Sequence, residues 1–224
     1  HVLNLAPHAA VYHEPSPSDI DAYRRAFFSP KDAERYIASF RKKEMYLRAR
    51  ASDCQVYGEV NSLLRRHCHA LKHHFPKAGF LHMVRDGRDV VRTMMSTVAL
   101  YPGDMWTWWL RPHDTDPFHG QWNTMDRFAK LCWYWRVENQ YLRTCIGNTV
   151  KFEDVRRDYE CFEQRILRPF GLSLSRSTWE QQVAAPRNVT EHYKLPHWRE
   201  WDAHHTQTFA TICGEEMEAN GYRL

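Results

Sequence analysis

The chain has 224 residues, 43% of them hydrophobic and 26% charged, which excludes a disordered or fibrous protein and allows a substantial core. Its formal charge of +4 favours anionic small ligands and lacks the strongly basic balance of a nucleic-acid binder. No apolar run approaches the length of a membrane span and no signal peptide is visible, so one domain over residues 1–224 in the cytoplasm is expected.

Residues 9–13 read as a short strand, stopped by Pro15. Charged amphipathic helices are predicted over 18–28 and 31–50, the second opened by Ser29-Pro30, because Ser caps a helix and Pro suits its first position. A strand over 54–57 leads to a helix over 61–74 capped by Asn61. The pattern continues with a strand over 79–84, helices over 89–100 and 126–145, a strand over 149–152, and helices over 159–170 and 203–219. Strands alternating with helices imply an α/β fold, a parallel β-sheet flanked by helices on both faces. Residues 101–123 break this rhythm as a long segment of low periodicity carrying Trp106, Trp108, Trp109 and Trp122. Such segments act as lids or binding loops, and these rings suit a wall for a sugar or phenol acceptor; the alternative is a satellite core.

The densest chemistry lies in Phe80-Leu-His-Met-Val-Arg85-Asp-Gly-Arg88-Asp-Val-Val-Arg92-Thr93. An apolar strand ends in Arg-Asp-Gly-Arg-Asp and a helix starts at once, which places backbone N–H groups and a partial positive charge at the turn. Arg85 leaves the strand beside this helix start, and Thr93 follows about two helical turns later. An Arg fork and a hydroxyl around one helix start suit a phosphate dianion; the alternative on local pattern is an Asp-Gly turn carrying surface charges. Arg88 and Arg92 read as solvated charges on the helix face, with a role as anion ligands the alternative.

This segment resembles the 3′-phosphate-binding signature of the sulfotransferases that use 3′-phosphoadenosine 5′-phosphosulfate (PAPS), with Arg85 on the signature's Arg and Thr93 where a Ser is expected. The tyrosylprotein and carbohydrate branch and its bacterial relatives look most similar. Three further segments follow in that family's order: Val11-Tyr-His-Glu14-Pro15 looks like the strand bearing the acidic catalytic residue, Val150-Lys-Phe152-Glu153-Asp154 like the strand end beside the adenine, and the stretch from Phe209 to Gly221-Tyr222 like the closing helix. The resemblance implies a sulfotransferase-like fold that moves a sulfuryl group from PAPS to a hydroxyl of a small-molecule, carbohydrate or tyrosine acceptor, without a metal. It also implies that Arg85 and Thr93 hold the 3′-phosphate, that Phe152 packs on the adenine, and that Lys194, with Arg187 and Arg199, belongs to a late basic loop over the nucleotide. The family's Gly-rich loop for the 5′-phosphosulfate has no counterpart in these residues, so an N-terminally incomplete domain with its first strand missing is expected.

Glu14 is the leading general base, because strand ends in parallel α/β sheets face the ligand crevice. His13 is the rival, set on the opposite face by strand alternation, and Glu59 at the next strand's end stands second in line. The readings kept beside the enzyme are an inactive binding module of the same fold and another nucleotide-dependent phosphotransferase. The six cysteines show no metal-ligand spacing and read as scattered thiols. His67-Cys-His69, His73-His74 and His204-His205 have no carboxylate or Cys at matching spacing, so no metal site is expected.

Overall fold

The computed structural model describes residues 2–96, 110–185, 190 and 192–224. It is a mixed α/β structure, mostly helical, with two short parallel two-stranded sheets. The chain divides into two compact units, residues 1–82 with 152–187 and residues 83–151 with 188–224.

In the first unit, β1 (Ala9–His13) pairs in parallel with β2 (Val56–Val60), in a register that sets Ala9 opposite Val56 and His13 opposite Val60. The crossover between them is helical: α1 (Asp19–Phe28), α2 (Pro30–Tyr36), a π-helical segment (Ile37–Arg41) and α3 (Lys42–Ala51). Ser29 opens α2 as its sequence requires, its hydroxyl accepting from the Asp32 N–H at 3.2 Å with Pro30 just inside. Asn61 caps a 3-10 turn (Ser62–His67) that passes into α4 (Cys68–His74). Ile37, Leu64 and Ala70 form a buried cluster with Tyr36, Met45, Leu71 and Phe75 packed around it, which ties α2, the π segment and α4 together. The unit is completed by α7 (Phe152–Arg157), α8 (Tyr159–Phe162) with its π and 3-10 continuation to Phe170, and α9 (Arg176–Ala184).

The chain passes along β3 (His82–Val84), which pairs with β4 (Thr149–Lys151), into the second unit. There α5 (Gly87–Ser96) packs on α6 (Arg127–Ile146), which packs in turn on α10 (Ala203–Ala219). Asp126 caps α6 through the Ala129 N–H at 2.8 Å, and Gly147 ends it at φ 74°, a left-handed conformation that suits Gly. α6 buries Phe128, Leu131, Cys132, Trp133 and Trp135 and so is the core of this unit.

The helices over 126–145 and 203–219 and the strand over 9–13 lie where the sequence places them. The strand expected over 54–57 runs instead over Val56–Val60, which moves Glu59 into the strand. Helices α7 and α9 are absent from the sequence reading. Cys54, Cys132, Cys161 and Cys213 are free thiols, whereas Cys68 and Cys145 are disulfide-bonded, against the expectation of thiols throughout.

His67 is completely buried, packs at a tilt against Tyr36 at 5.3 Å, and among the described residues neither ring nitrogen has a hydrogen-bond partner. Burial pushes its pKa down to about 4, with nearby Arg25 and Arg41 adding to the effect and Asp19 opposing it. Between pH 6.5 and about 4 the unfolded chain binds a proton that the folded chain refuses, so stability falls as pH falls through that window and levels off below it. The shift corresponds to roughly 3–4 kcal/mol. Urea unfolding at pH 7.5 and pH 4.5 is expected to show a smaller acid loss for His67→Phe than for the native chain; equal losses would assign the acid limb to other groups.

Candidate functional site

β3 delivers Arg85 to the start of α5, and the geometry of that turn rests on a close approach. A Cβ on Gly87 would lie 2.9 Å from the Trp135 ring and 3.1 Å from Phe209, so glycine is required here for contact with α6 and α10. Trp135 Nε1 donates to the Arg85 carbonyl at 3.3 Å, and Tyr222 Oη donates to the Val84 carbonyl at 3.3 Å. Lys151 Nζ lies 4.6 Å from the Tyr222 ring centre and donates to the Gly221 carbonyl. The strand end, β4 and the C-terminal Gly-Tyr, far apart in sequence, thus meet in one place.

The helix start differs from its sequence reading. Asp86 Oδ1 accepts from the Arg88 N–H at 2.9 Å, so a carboxylate of the chain itself caps α5. Arg88 is no solvated charge: it pairs with Asp86 at 2.6 Å, is 13% exposed, and stacks on Trp198 at 4.0 Å. Arg92 likewise donates to the Leu195 carbonyl at 3.1 Å and stacks on Tyr193 at 3.7 Å. Arg85 is the more open of the first two arginines, with a 43% exposed side chain whose Nη2 is 3.8 Å from Asp89. Thr93 Oγ1 donates to the Asp89 carbonyl at 2.8 Å.

Positions 85, 89, 92, 93 and 96 fall on one side of a helix by their spacing, and the loop around Lys194 lies along it. The Lys194 N–H donates to Ser96 Oγ at 2.9 Å, beside the Arg92–Leu195 contact. Arg85, Thr93 and Lys194 are therefore brought to the same helix. Phe152 belongs to the first unit, half-buried as the first residue of α7.

The candidate bases share the first unit. Glu14 follows β1 with φ 44°, a left-handed backbone uncommon for a residue with a side chain. Its N–H donates to the Val60 carbonyl at 3.2 Å, and its carboxylate accepts from the Ser62 hydroxyl. His13 is exposed at the strand tip. Glu59 is only 7% exposed and accepts from Arg41 Nη2 at 2.6 Å, Asn61 Nδ2 at 3.2 Å and the Tyr57 hydroxyl.

Arg41 is the hub of that arrangement. Its side chain is fully buried and also donates to Asp19, itself fully buried, through Nε at 2.9 Å and Nη2 at 3.3 Å. Asp19 accepts further bonds from Asn61 Nδ2 and Tyr36 Oη, each at 2.8 Å. Burial alone would lower the Arg41 pKa, but Asp19 and Glu59 hold it above its ordinary value. Burial, with Asp19 beside it, pushes Tyr36 up to about 12. Sequence reasoning missed Asp19 and Arg41; the contact spans 22 residues and carries no motif.

Of the aromatic residues set aside as an acceptor wall, Trp106, Trp108 and Trp109 lie outside the described residues. Trp122 is core: it is 9% exposed and packs edge-on against Trp133 at 4.9 Å. Arg187 also lies outside the described residues.

No family model, curated protein or solved structure matches the chain. Among the described residues, no helix is long and apolar enough to cross a membrane.

Removing Arg41 would leave two carboxylates in its cage uncompensated, which costs about 3–5 kcal/mol. Chemical denaturation of Arg41→Ala is expected to show that loss, with Arg41→Lys recovering part of it because an ammonium lacks the planar fork. A loss under about 1 kcal/mol would place the network among weak surface pairs.

Proposed function

We propose that the chain is a PAPS-dependent sulfotransferase domain whose second unit holds the 3′-phosphate of the nucleotide. The observation that carries this reading is that Arg85, Thr93 and the Lys194 loop all lie along α5, three features that the sequence resemblance singles out separately. Arg85 has the exposure to receive a phosphate, and its planar fork can grip two phosphate oxygens. Thr93 spends its proton on the Asp89 carbonyl, so a ligand phosphate would draw that hydroxyl round to donate to it instead. Arg88 and Arg92 hold the loop by stacking and hydrogen bonds, which makes them positioning residues. PAPS supplies the activated sulfuryl group; transfer then needs a base for the acceptor hydroxyl and alignment of the two.

Glu14 fits the base better than its rivals. It sits at a strand tip on strained backbone with one hydroxyl partner, whereas the Glu59 carboxylate is taken up by three donors, Arg41, Tyr57 and Asn61. Ser62 orients the Glu14 carboxylate, and Asn61 next to it is fixed by Asp19 and Glu59.

Titration calorimetry tests the nucleotide site directly. 3′-Phosphoadenosine 5′-phosphate is expected to bind and adenosine 5′-phosphate, lacking the 3′-phosphate, to bind far more weakly. Arg85→Ala should weaken the former by roughly 10- to 100-fold, the range for a charge-assisted hydrogen-bonded pair. Equal affinity for the two nucleotides, or an unaffected Arg85→Ala, rejects the assignment. Glu14→Gln is expected to keep nucleotide affinity and lose most transfer from radiolabelled PAPS to a panel of phenols, sugars and tyrosyl peptides. Nucleotide binding without transfer in the native chain would support the inactive binding module.

A further inference from the structure

α2 and α4 meet over the buried cluster of Ile37, Leu64 and Ala70, and at their solvent edge three metal-competent side chains converge. Glu34 comes from α2; His73 and His74 are the last two residues of α4. His73 Nδ1 is 3.1 Å and His74 Nε2 2.7 Å from the same oxygen, Glu34 Oε1, and the donor atoms of all three lie within 4.8 Å of one another. Two ligands each about 2.0–2.1 Å from one ion sit about 2.9–3.4 Å apart for angles between square and tetrahedral, so both contacts are within a few tenths of an ångström of that spacing. His74 is 17% exposed and its ring is held, while His73 at 72% and Glu34 at 42% leave the site open to entry from solvent. The two imidazole rings lie 4.8 Å apart between centres at 38°.

We propose that Glu34, His73 and His74 form a binding site for one borderline divalent transition-metal ion such as Zn2+. Two imidazoles and one carboxylate are a donor set that such ions accept, and three protein ligands leave room for water or an outside ligand. The ion would brace α2 against α4, joining two helices that are otherwise held by the apolar cluster beneath. The ligands stand on packed helices, so little ordering remains to be done when the ion enters. The adjacent histidines alone carry no metal signature; the carboxylate arrives from 39 residues upstream of His73, a distance no motif spacing spans. This site is independent of the nucleotide reading.

Equilibrium dialysis of the chain against ZnCl2 without reductant, so that the disulfide at Cys68 on α4 stays intact, with thermal unfolding in parallel, tests the site. The native protein is expected to take up one equivalent that His74→Ala loses or binds at least tenfold more weakly, with a Tm that rises on adding Zn2+ in the native chain only. His73→Ala, at an exposed position that leaves folding intact, and Glu34→Gln should lose the same equivalent. The absence of a saturable equivalent in the native protein, or its retention in His73→Ala and Glu34→Gln, overturns the proposal.

Discussion

The contact of Gly87 with Trp135 and Phe209 governs the second unit. Because no Cβ stands at that position, two aromatic rings from α6 and α10 close on the first turn of α5. Trp135 then reaches the Arg85 carbonyl, which fixes where the strand ends and the arginine leaves it. The sequence signature contains glycine at this point, and its physical reason is packing: the backbone there is ordinary helix, with no positive φ. A side chain on a turn is only as precisely placed as the turn, and here the precision comes from the core.

The first unit is organised by charge. Arg41 lies fully buried between Asp19 and Glu59, and the π-helical segment ending at Arg41 carries the side chain into that cage. Such a cage contributes little net stability over an apolar core, because desolvating three ions offsets their attraction. Its consequence is local order: Asn61 is bonded to both carboxylates and caps the following turn, so Ser62 stands at a defined distance from Glu14. The polar network thereby reaches the strand tip although none of its three ions is open to solvent.

The elements legible in the sequence were those with strong local signals. Ser29-Pro30 opens α2 through the Ser29 side chain, as read, and α6 and α10 follow from long periodic runs; the caps Asp126 and Asp202 are seen only in the structure. The strand end at Arg85 and its meeting with the C-terminal tyrosine were legible only as an ordered set of segments, since a hydrogen bond from Tyr222 to Val84 has no local trace. The fate of Arg88 and Arg92 was illegible for the same reason: their partners Trp198, Tyr193 and Leu195 lie about a hundred residues away. α7 was missed because Phe152-Glu153-Asp154 reads equally well as a strand end and as a helix start. Glu34 and the two histidines fall into the same class, a long-range juxtaposition of residues that are unremarked singly.

These long-range contacts bear on how the α5 site would discriminate among anions. Asp86 already occupies the helix start, and a second carboxylate, Asp89, stands 3.8 Å from Arg85. A singly charged ligand would gain little by displacing that internal partner. On the proposed reading, a dianion with several acceptor oxygens would have more to offer Arg85 and the Thr93 hydroxyl. The pairing of Arg85 with Asp89 would then act as a threshold that favours a terminal phosphate over a singly charged anion.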